Sequence, residues 1–438
     1  MPVVALRPLR HRSFALLWTG SLVSNIGTWM QTVAVGALVT GITRNPVWTA
    51  VAFVAGFLPN GILAPIGGAL ADRLDRRRFA IVGTAVEGSL AATLAVIVGA
   101  GNTDPYVITF VVFLAGCVGA LRMPFQQAML PDLVPHEDVV GAISLGSAQW
   151  NLGRVIGPAL AGLVIVAGSY AAAFAINALS YLAVIVAYLF VRVPPTVPEG
   201  EDHGLIRHLR AGVGTVRREP ALRAAMGLIA VAAALAAPFI ALIPAFADTL
   251  TGGSREALAA ATGVMTTGQG VGAVIASLLF PSFVERYGRR RMLVVVLILT
   301  PLALVPYALS PSVPFAVGAI VVVGGAYICI LSGLSAVMQL RAPAAFRGRV
   351  LSLYFATLSI VFPLGALVQG VLARQVGLRA TTIGGAGLLL IVLAVLGVTR
   401  PEVLRALDDE PLDDEPLDER PGDDDALVSD AATAQAAG

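Results

Sequence analysis

Ionisable side chains are rare inside the long apolar stretches of this chain, and three stand out: Glu87, Arg122 and Arg154. In an apolar environment a charge is costly and usually faces a partner or a water-filled cavity. Glu87 lies about eight residues, roughly 12 Å along a helix, inside its stretch, and Arg122 lies at a similar depth in the next. The two could form a fixed ion pair. Alternatively, Glu87 could be a carboxylate that takes up and releases a proton, its pKa set by burial and a nearby arginine.

Polar residues recur at helical spacing in several apolar stretches. For any one of them, hydrogen bonding between helices is the commoner explanation. Because such residues occur in both halves of the chain, they also predict a polar path through the centre. The candidates for that path are Asn25, Trp29, Asn151, Thr266, Gln269 and Ser335.

The sequence lacks the residues that nucleotide-binding loops, lysine Schiff bases and zinc sites require. All 29 basic residues are arginine, so a Walker-type phosphate loop and a lysine Schiff base are excluded. Cys117 and Cys329 lie in apolar stretches and read as packing residues, while the four histidines have no zinc-site spacing. We therefore expect no enzyme, no cofactor, no metal site and no nucleic-acid partner.

The composition predicts a membrane protein. Hydrophobic residues make up 57% of the 438 positions and charged residues only 13%, whereas about a quarter of a soluble domain is charged. Each membrane-spanning helix needs roughly 20 apolar residues. Twelve stretches qualify: 14–40, 48–71, 79–100, 106–129, 139–168, 170–193, 223–247, 258–284, 292–310, 313–340, 348–375 and 380–399. The expected fold is therefore an all-α membrane protein with twelve transmembrane helices.

An internal duplication divides these helices into two sets of six. The segment Gly67–Arg78 ends an apolar run in a cluster of charge, and Pro281–Arg291 is a weaker copy at a constant offset of 213 positions. We expect an N-terminal bundle at 1–193 and a C-terminal bundle at 223–399, joined by a polar cytoplasmic linker at 194–222. Residues 400–438 hold three arginines and 13 acidic residues, which predicts a disordered acidic tail.

Arginine also predicts the orientation. If the N-terminus is cytoplasmic, the external loops contain only Arg44, Arg255, Arg374 and Arg379, and nearly all other arginines lie inside. The positive-inside rule therefore places both termini in the cytoplasm of a bacterial-type cell.

The segment Gly67–Arg78 resembles the loop between the second and third helices of the major facilitator superfamily, except that Asp75 replaces a glycine. The resemblance implies two pseudo-symmetric six-helix bundles and a loop that latches the cytoplasmic side closed, with Asp72 accepting hydrogen bonds from the amino end of a neighbouring helix. A plain headgroup anchor explains the arginines but not Asp72. The implied gating residues are Gly68, Asp72, Arg73, Arg76 and Arg77, with Glu285, Arg286, Gly288 and Arg289 in the second copy.

A second motif is similar to one found in exporters of that superfamily. It consists of Gly153, Gly157, Pro158 and Gly162, with Ala161 in place of one glycine. Small residues four apart permit close helix contact, and Pro158 favours a kink. Wider similarity to the enterobactin-exporter-like branch covers the membrane region and excludes the tail.

These patterns together predict a secondary transporter of the cytoplasmic membrane that works by alternating access as a monomer. The resemblance favours proton-coupled export of an amphipathic small molecule, either a drug or a siderophore. One alternative is an importer or facilitator of a small metabolite. Another is a membrane scaffold or sensor that does not transport and signals through its acidic tail.

Overall fold

The computed structural model of the protein describes residues 4–191 and 205–408, and within these ranges all regular secondary structure is helical. Twelve helical segments are long and apolar enough to cross a membrane. The predicted all-α membrane class and the count of twelve are therefore confirmed.

The first six long helices form the first half of the molecule, and a connector helix follows them. They are α1 (Arg12–Thr43), α2 (Pro46–Ala71), α3 (Arg76–Gly99), α4 (Pro105–Met129), α5 (Val139–Ala167), α6 (Tyr170–Phe190) and the connector α7 (Leu205–Arg218). The second half contains α8 (Pro220–Leu235), α9 (Pro238–Ala241), α10 (Ile243–Thr251), α11 (Arg255–Tyr287), α12 (Arg289–Ala308), α13 (Val313–Arg341), α14 (Arg347–Val376), α15 (Leu378–Thr399) and α16 (Pro401–Arg405).

Short polar residues begin several of these helices. The side chains of Asn45, Asp104, Ser169 and Ser254 accept hydrogen bonds from backbone amides in the first turns of α2, α4, α6 and α11. Such caps satisfy amides that have no partner within the helix. They fix where each helix starts after a tight turn.

Asp75 and Gly288 perform the same task in two different ways. Asp75 caps α3 by accepting a 2.8 Å hydrogen bond from the Arg78 amide, with φ of −60°. Gly288 precedes α12 with φ of +86°, which is a conformation that glycine adopts without strain. The two loops therefore differ in backbone conformation at this position, but in both of them a helix begins at the next residue.

The seventh apolar stretch is broken, although the sequence predicted one segment at 223–247. Pro238 and Pro244 stand in the first turns of α9 and α10, immediately after the two interruptions. Proline lacks the amide that would continue the preceding helix, and it suits the first turn of the next.

Two pairs of long helices make the most extensive contacts between the halves. Within the first half, α1 packs on α5 and α6, α2 on α4, and α3 on α4 and α6; within the second, α11 packs on α13 and α12 on α13 and α15. Across the boundary, α5 lies along α11 and α2 lies along α14. A central path between the halves would run between these two seams.

Parts of the predicted linker and tail lie outside the described residues. In the linker, 205–218 is helical, and Gly212 of α7 packs against Arg349 and Leu353 of α14. At the start of the predicted tail, Asp408 contacts Arg290 through its carboxylate at 3.4 Å and Arg341 through its carbonyl at 2.9 Å.

The crossing of α11 and α13 predicts a stability effect. A Cβ added to Gly272 would collide with the backbone carbonyl of Val321, whereas a Cβ at Gly384 on α15 would meet nothing within 4 Å. We expect Gly272→Ala to destabilise the protein by about 1–3 kcal/mol, the usual cost of overpacking. Thermal unfolding in detergent measures the effect, with Gly384→Ala as the matched control. Equal melting temperatures for the two variants would contradict the close packing.

Candidate functional site

Glu87 and Arg122 form a buried ion pair between α3 and α4. Arg122 also donates a 2.7 Å hydrogen bond to Gln126, whose amide donates to Ser21 of α1 at 3.0 Å. The carboxylate fits because residue 119 is glycine, where a Cβ would lie 2.9 Å from Glu87 Oε1. This network connects three helices of the first half. The sequence had not indicated Ser21 or Gln126, although Gln126 lies one helical turn after Arg122.

Arg154 lies apart from this network, on α5 at the seam with the second half. Its carbonyl oxygen would lie 3.3 Å from a Cβ at Gly270 of α11. The titratable group near its guanidinium is the phenol of Tyr327 on α13, which is uncharged while protonated. Within residues 4–191 and 205–408, no carboxylate forms an ion pair with Arg154.

The predicted packing motif brings α5 into contact with α1. A Cβ at Gly157 would lie 2.7 Å from the Ile26 carbonyl oxygen and 2.6 Å from Trp29 Cβ, and one at Gly153 would lie 3.1 Å from Asn25 Cβ. Asn25 and Trp29, both predicted to line a path, therefore lie beside this motif. The Trp29 ring also meets Trp150 edge-on, with centroids 5.5 Å apart.

The remaining part of the motif contacts the other half of the molecule. The carbonyl of Pro158 would lie 2.7 Å from a Cβ at Gly263 of α11, and Gly162 lies close to Ala260 of the same helix. The absence of side chains at these positions permits backbone approach across the seam.

The other predicted path residues differ in whether their polar groups are satisfied. The Asn151 amide donates to the Ser147 carbonyl, and the Thr266 hydroxyl donates to the Thr262 carbonyl, each within its own helix. Gln269 is 1% exposed, and its amide nitrogen has no hydrogen-bond partner among the described residues.

Ser335, the last predicted path residue, belongs to a local contact on α13. Its hydroxyl oxygen accepts a 3.3 Å hydrogen bond from Gln339, one turn further along the same helix. Both residues lie in the last two turns of α13. Ser335 is therefore about two helical turns away from Tyr327, the residue of α13 near Arg154.

The first charged loop is tied to the first half of the molecule. Arg76 contacts Asp132 at 3.2 Å, and Arg77 donates to the carbonyls of Tyr188 and Leu189 at 2.7 and 2.9 Å. The latter pair places a cation at the carboxyl end of α6, where the helix dipole favours it. Asp72 ends α2 and is exposed, and its carboxylate has no hydrogen bond or ion pair within the described residues.

The second charged loop, at the start of α12, is more exposed. Glu285, Arg286 and Gly288 are all exposed, and the Arg286 guanidinium lies 5.4 Å from the Tyr287 ring centroid. Gly68 of the first copy has nothing within 4 Å of a notional Cβ. We call the end of the molecule that carries both loops the arginine-rich end.

An ion pair that the sequence did not indicate joins the halves at the opposite end. Arg44, between α1 and α2, pairs with Asp248 of α10 and donates a 2.6 Å hydrogen bond to the Gly253 carbonyl. Among the described residues, Arg44 is the one non-glycine residue with positive φ, at 50°, and the contact stabilises this costly conformation. Its partners follow more than 200 positions later, so no local sequence signal marks them.

Contacts along α2 and α14 are concentrated towards that same opposite end. A Cβ at Gly370 of α14 would lie 2.9 Å from Ala50 Cβ, and the rings of Phe53 and Phe362 are 4.8 Å apart. Gly61, further along α2, still meets Ile360. Asp72, at the arginine-rich end of α2, makes no hydrogen bond to the described part of α14. The halves are thus in contact at one end, while at the other end no hydrogen bond joins Asp72 to the described part of α14.

Known proteins with similar sequences are transporters. The chain is 22% identical to macrolide efflux protein A of Streptococcus pyogenes over 84% of this chain and 90% of that protein. It is 25% identical to the multidrug efflux pump Tap of Mycolicibacterium fortuitum, covering 90% and 96% of the two chains. It is 23% identical to the staphyloferrin A transporter of Staphylococcus aureus, covering 87% and 95%.

The fold has the same kind of relatives. A bacterial homologue of the human lysosomal transporter Spinster, solved in an inward-facing and unoccupied conformation, superposes with a TM-score of 0.71 at 15% identity, over 91% of this chain and 98% of that one. The family model for transmembrane secretion effectors matches residues 3–424. The protein therefore belongs to the transmembrane secretion effector family and is a membrane transporter of the major facilitator superfamily.

Proposed function

We propose that the protein is a secondary active transporter that exports an amphipathic small molecule by alternating access, in exchange for protons. The observation that carries the proposal is the unequal contact between the halves. Arg44 and Asp248 join them at one end, while Asp72 is unengaged at the other. In an alternating cycle, the Arg44–Asp248 contact would open as Asp72 engages the amino end of α14.

The proposed direction rests on the arginines and on the relatives. The arginine-rich end is assigned to the cytoplasm by the positive-inside rule, so both termini lie there and the Arg44–Asp248 contact lies outside. A path between the halves would then open to the cytoplasm when that contact is formed. Relatives named as macrolide and multidrug efflux proteins support outward transport of an organic molecule.

Proton coupling is proposed for the Glu87–Arg122 pair. It is the one ion pair of the described residues in which both groups lie deep within apolar helices. A proton on Glu87 would leave Arg122 without its counter-charge and would change the hydrogen bonds to Gln126 and Ser21. The network reaches α1, which also contacts the α5 motif and α10. Protonation could in this way bias the contact between the halves.

Substitution of Glu87 tests this coupling. We expect Glu87→Gln to abolish proton-driven accumulation of a fluorescent amphipathic dye in inside-out vesicles, because an amide cannot exchange a proton. Glu137→Gln, which changes an exposed carboxylate in the short turn before α5, is the matched control and should transport like the wild type.

Folding must be separated from coupling in this experiment. Removing one partner of a buried pair destabilises proteins by about 3–5 kcal/mol, so melting temperatures are measured for Glu87→Gln and for the double variant Glu87→Gln with Arg122→Gln. The double variant should recover stability without recovering proton-driven transport. Wild-type transport and unchanged pH dependence in folded Glu87→Gln would show that the pair is only structural.

The contact at the opposite end makes a second prediction. We expect Asp248→Asn to weaken closure at that end, because it removes the charge that holds Arg44. Exposed ion pairs contribute about 0–1 kcal/mol, so populations should shift by up to about fivefold. Spin labels at Thr103 and Ser312, in loops of the two halves at that end, should show a larger share of long distances. Glu256→Gln, near Asp248 but bonded only to Ser254 in its own loop among the described residues, is the control.

The labelling uses a background in which Cys117 and Cys329 are replaced by serine, so that only the introduced cysteines react. An identical distance distribution in wild type and Asp248→Asn would remove the Arg44–Asp248 contact from the proposed cycle. A change of the same size in Glu256→Gln would do the same.

A further inference from the structure

Two hydrogen-bond donors without acceptors in the described part of the chain, and an arginine without a carboxylate partner there, lie at the seam between α1, α5 and α11. The Trp29 indole nitrogen and the Gln269 amide nitrogen are both buried and have no hydrogen-bond partner among the described residues. Arg154 has no carboxylate partner within the same part of the chain. A buried donor without a partner costs about 1–3 kcal/mol, so two of them beside an arginine that lacks a carboxylate call for an explanation.

The helix contacts place these donors at one level of the molecule. Trp29 lies against Gly153 and Gly157, the residues on either side of Arg154 on α5. Gly270, next to Gln269, lies against the Arg154 carbonyl. Trp29 belongs to α1, Arg154 to α5 and Gln269 to α11, so the group draws on both halves of the molecule.

The charges of the region do not balance. Glu87 is committed to Arg122, which also binds Gln126. Among the described residues, the one titratable group near Arg154 is the Tyr327 phenol, which is uncharged while protonated. One positive charge therefore remains uncompensated deep in the apolar part of the protein, where an ionisable group marks a functional site.

We propose that Arg154, Gln269 and Trp29 form a subsite for a carboxylate of the exported molecule. This inference rests on the proposed transport function and specifies its substrate class as an amphipathic anion. A carboxylate offers only acceptors and can receive hydrogen bonds from a planar guanidinium and from neighbouring N–H groups. Its single negative charge matches the single unpaired cation, whereas a phosphate carries nearly two. Binding bridges the halves, because its donors come from both.

A matched pair of probes tests the subsite. Pyrenebutanoate and its primary amide have the same shape and differ in charge. Binding to the purified full-length protein is followed by energy transfer from tryptophan to pyrene. We expect the carboxylate to bind roughly tenfold or more tightly than the amide, and this preference to vanish in Arg154→Gln. Arg154→Lys, which keeps the charge, should retain part of it.

Arg374→Gln is the control for net charge, because Arg374 is exposed near the far end of α14, and it should keep the full preference. Thermal unfolding shows whether the variants are folded. Since Arg154 has no carboxylate partner among the described residues, Arg154→Gln should melt no lower than the wild type. Pyrenebutanoate should raise the melting temperatures of the wild type and of Arg374→Gln but not that of Arg154→Gln. A large loss of stability in Arg154→Gln would indicate a structural arginine and overturn the assignment.

The outcomes separate this inference from the proposed transport. Failure of the carboxylate to bind, equal affinity for both probes, or a preference that survives in Arg154→Gln would overturn the subsite, whatever the dye-transport assay shows. An Arg154-dependent preference in a protein that exports no dye would support the subsite and remove the proposed export.

Discussion

The close contact of α5 with both α1 and α11 is the constraint on which the rest of the arrangement depends. Gly157 admits the backbone of α1, and Gly263 admits the carbonyl of Pro158. One helix therefore touches a partner in each half at van der Waals distance. Arg154 lies between Gly153 and Gly157, both of which contact α1, so its position at the seam follows from the small residues around it.

The two sets of buried charge have opposite character. Around Glu87, the carboxylate, the guanidinium and the Gln126 amide satisfy one another within one half. Around Arg154, the seam presents the Trp29 and Gln269 donors without acceptors in the part of the chain that the structure describes. The Glu87–Arg122–Gln126 network holds its helices in place whether or not a ligand is present. The donors around Arg154 would obtain acceptors only when a ligand binds. The sequence treated Glu87, Arg122 and Arg154 as one group, and the contacts divide them.

What could be predicted from the sequence was what depends on local composition. Runs of about 20 apolar residues predicted the twelve helices, and similar depth predicted that Glu87 and Arg122 could meet. Pro238 and Pro244 mark the break in the seventh stretch. The prediction of one helix over 223–247 rested on the apolar run and did not take these prolines into account. The Arg44–Asp248 contact was not predictable, because it depends on how two distant segments pack. The lack of a hydrogen-bond partner for the Gln269 amide among the described residues was not predictable for the same reason, because the partners of a buried polar group depend on how the helices pack.

The interruptions between α8, α9 and α10 have a mechanical consequence. A continuous helix transmits a displacement along its whole length, whereas short helices separated by proline interruptions transmit it less completely. The helix that carries Asp248, α10, packs through Phe246, whose ring stacks on Tyr307 with centroids 4.5 Å apart, and through Pro244, which lies against Gly36. The packing of α8 on α14 is separate from these contacts. A displacement at the Arg44–Asp248 pair therefore need not pass to α8, because proline interrupts the backbone hydrogen bonds between α8 and α10.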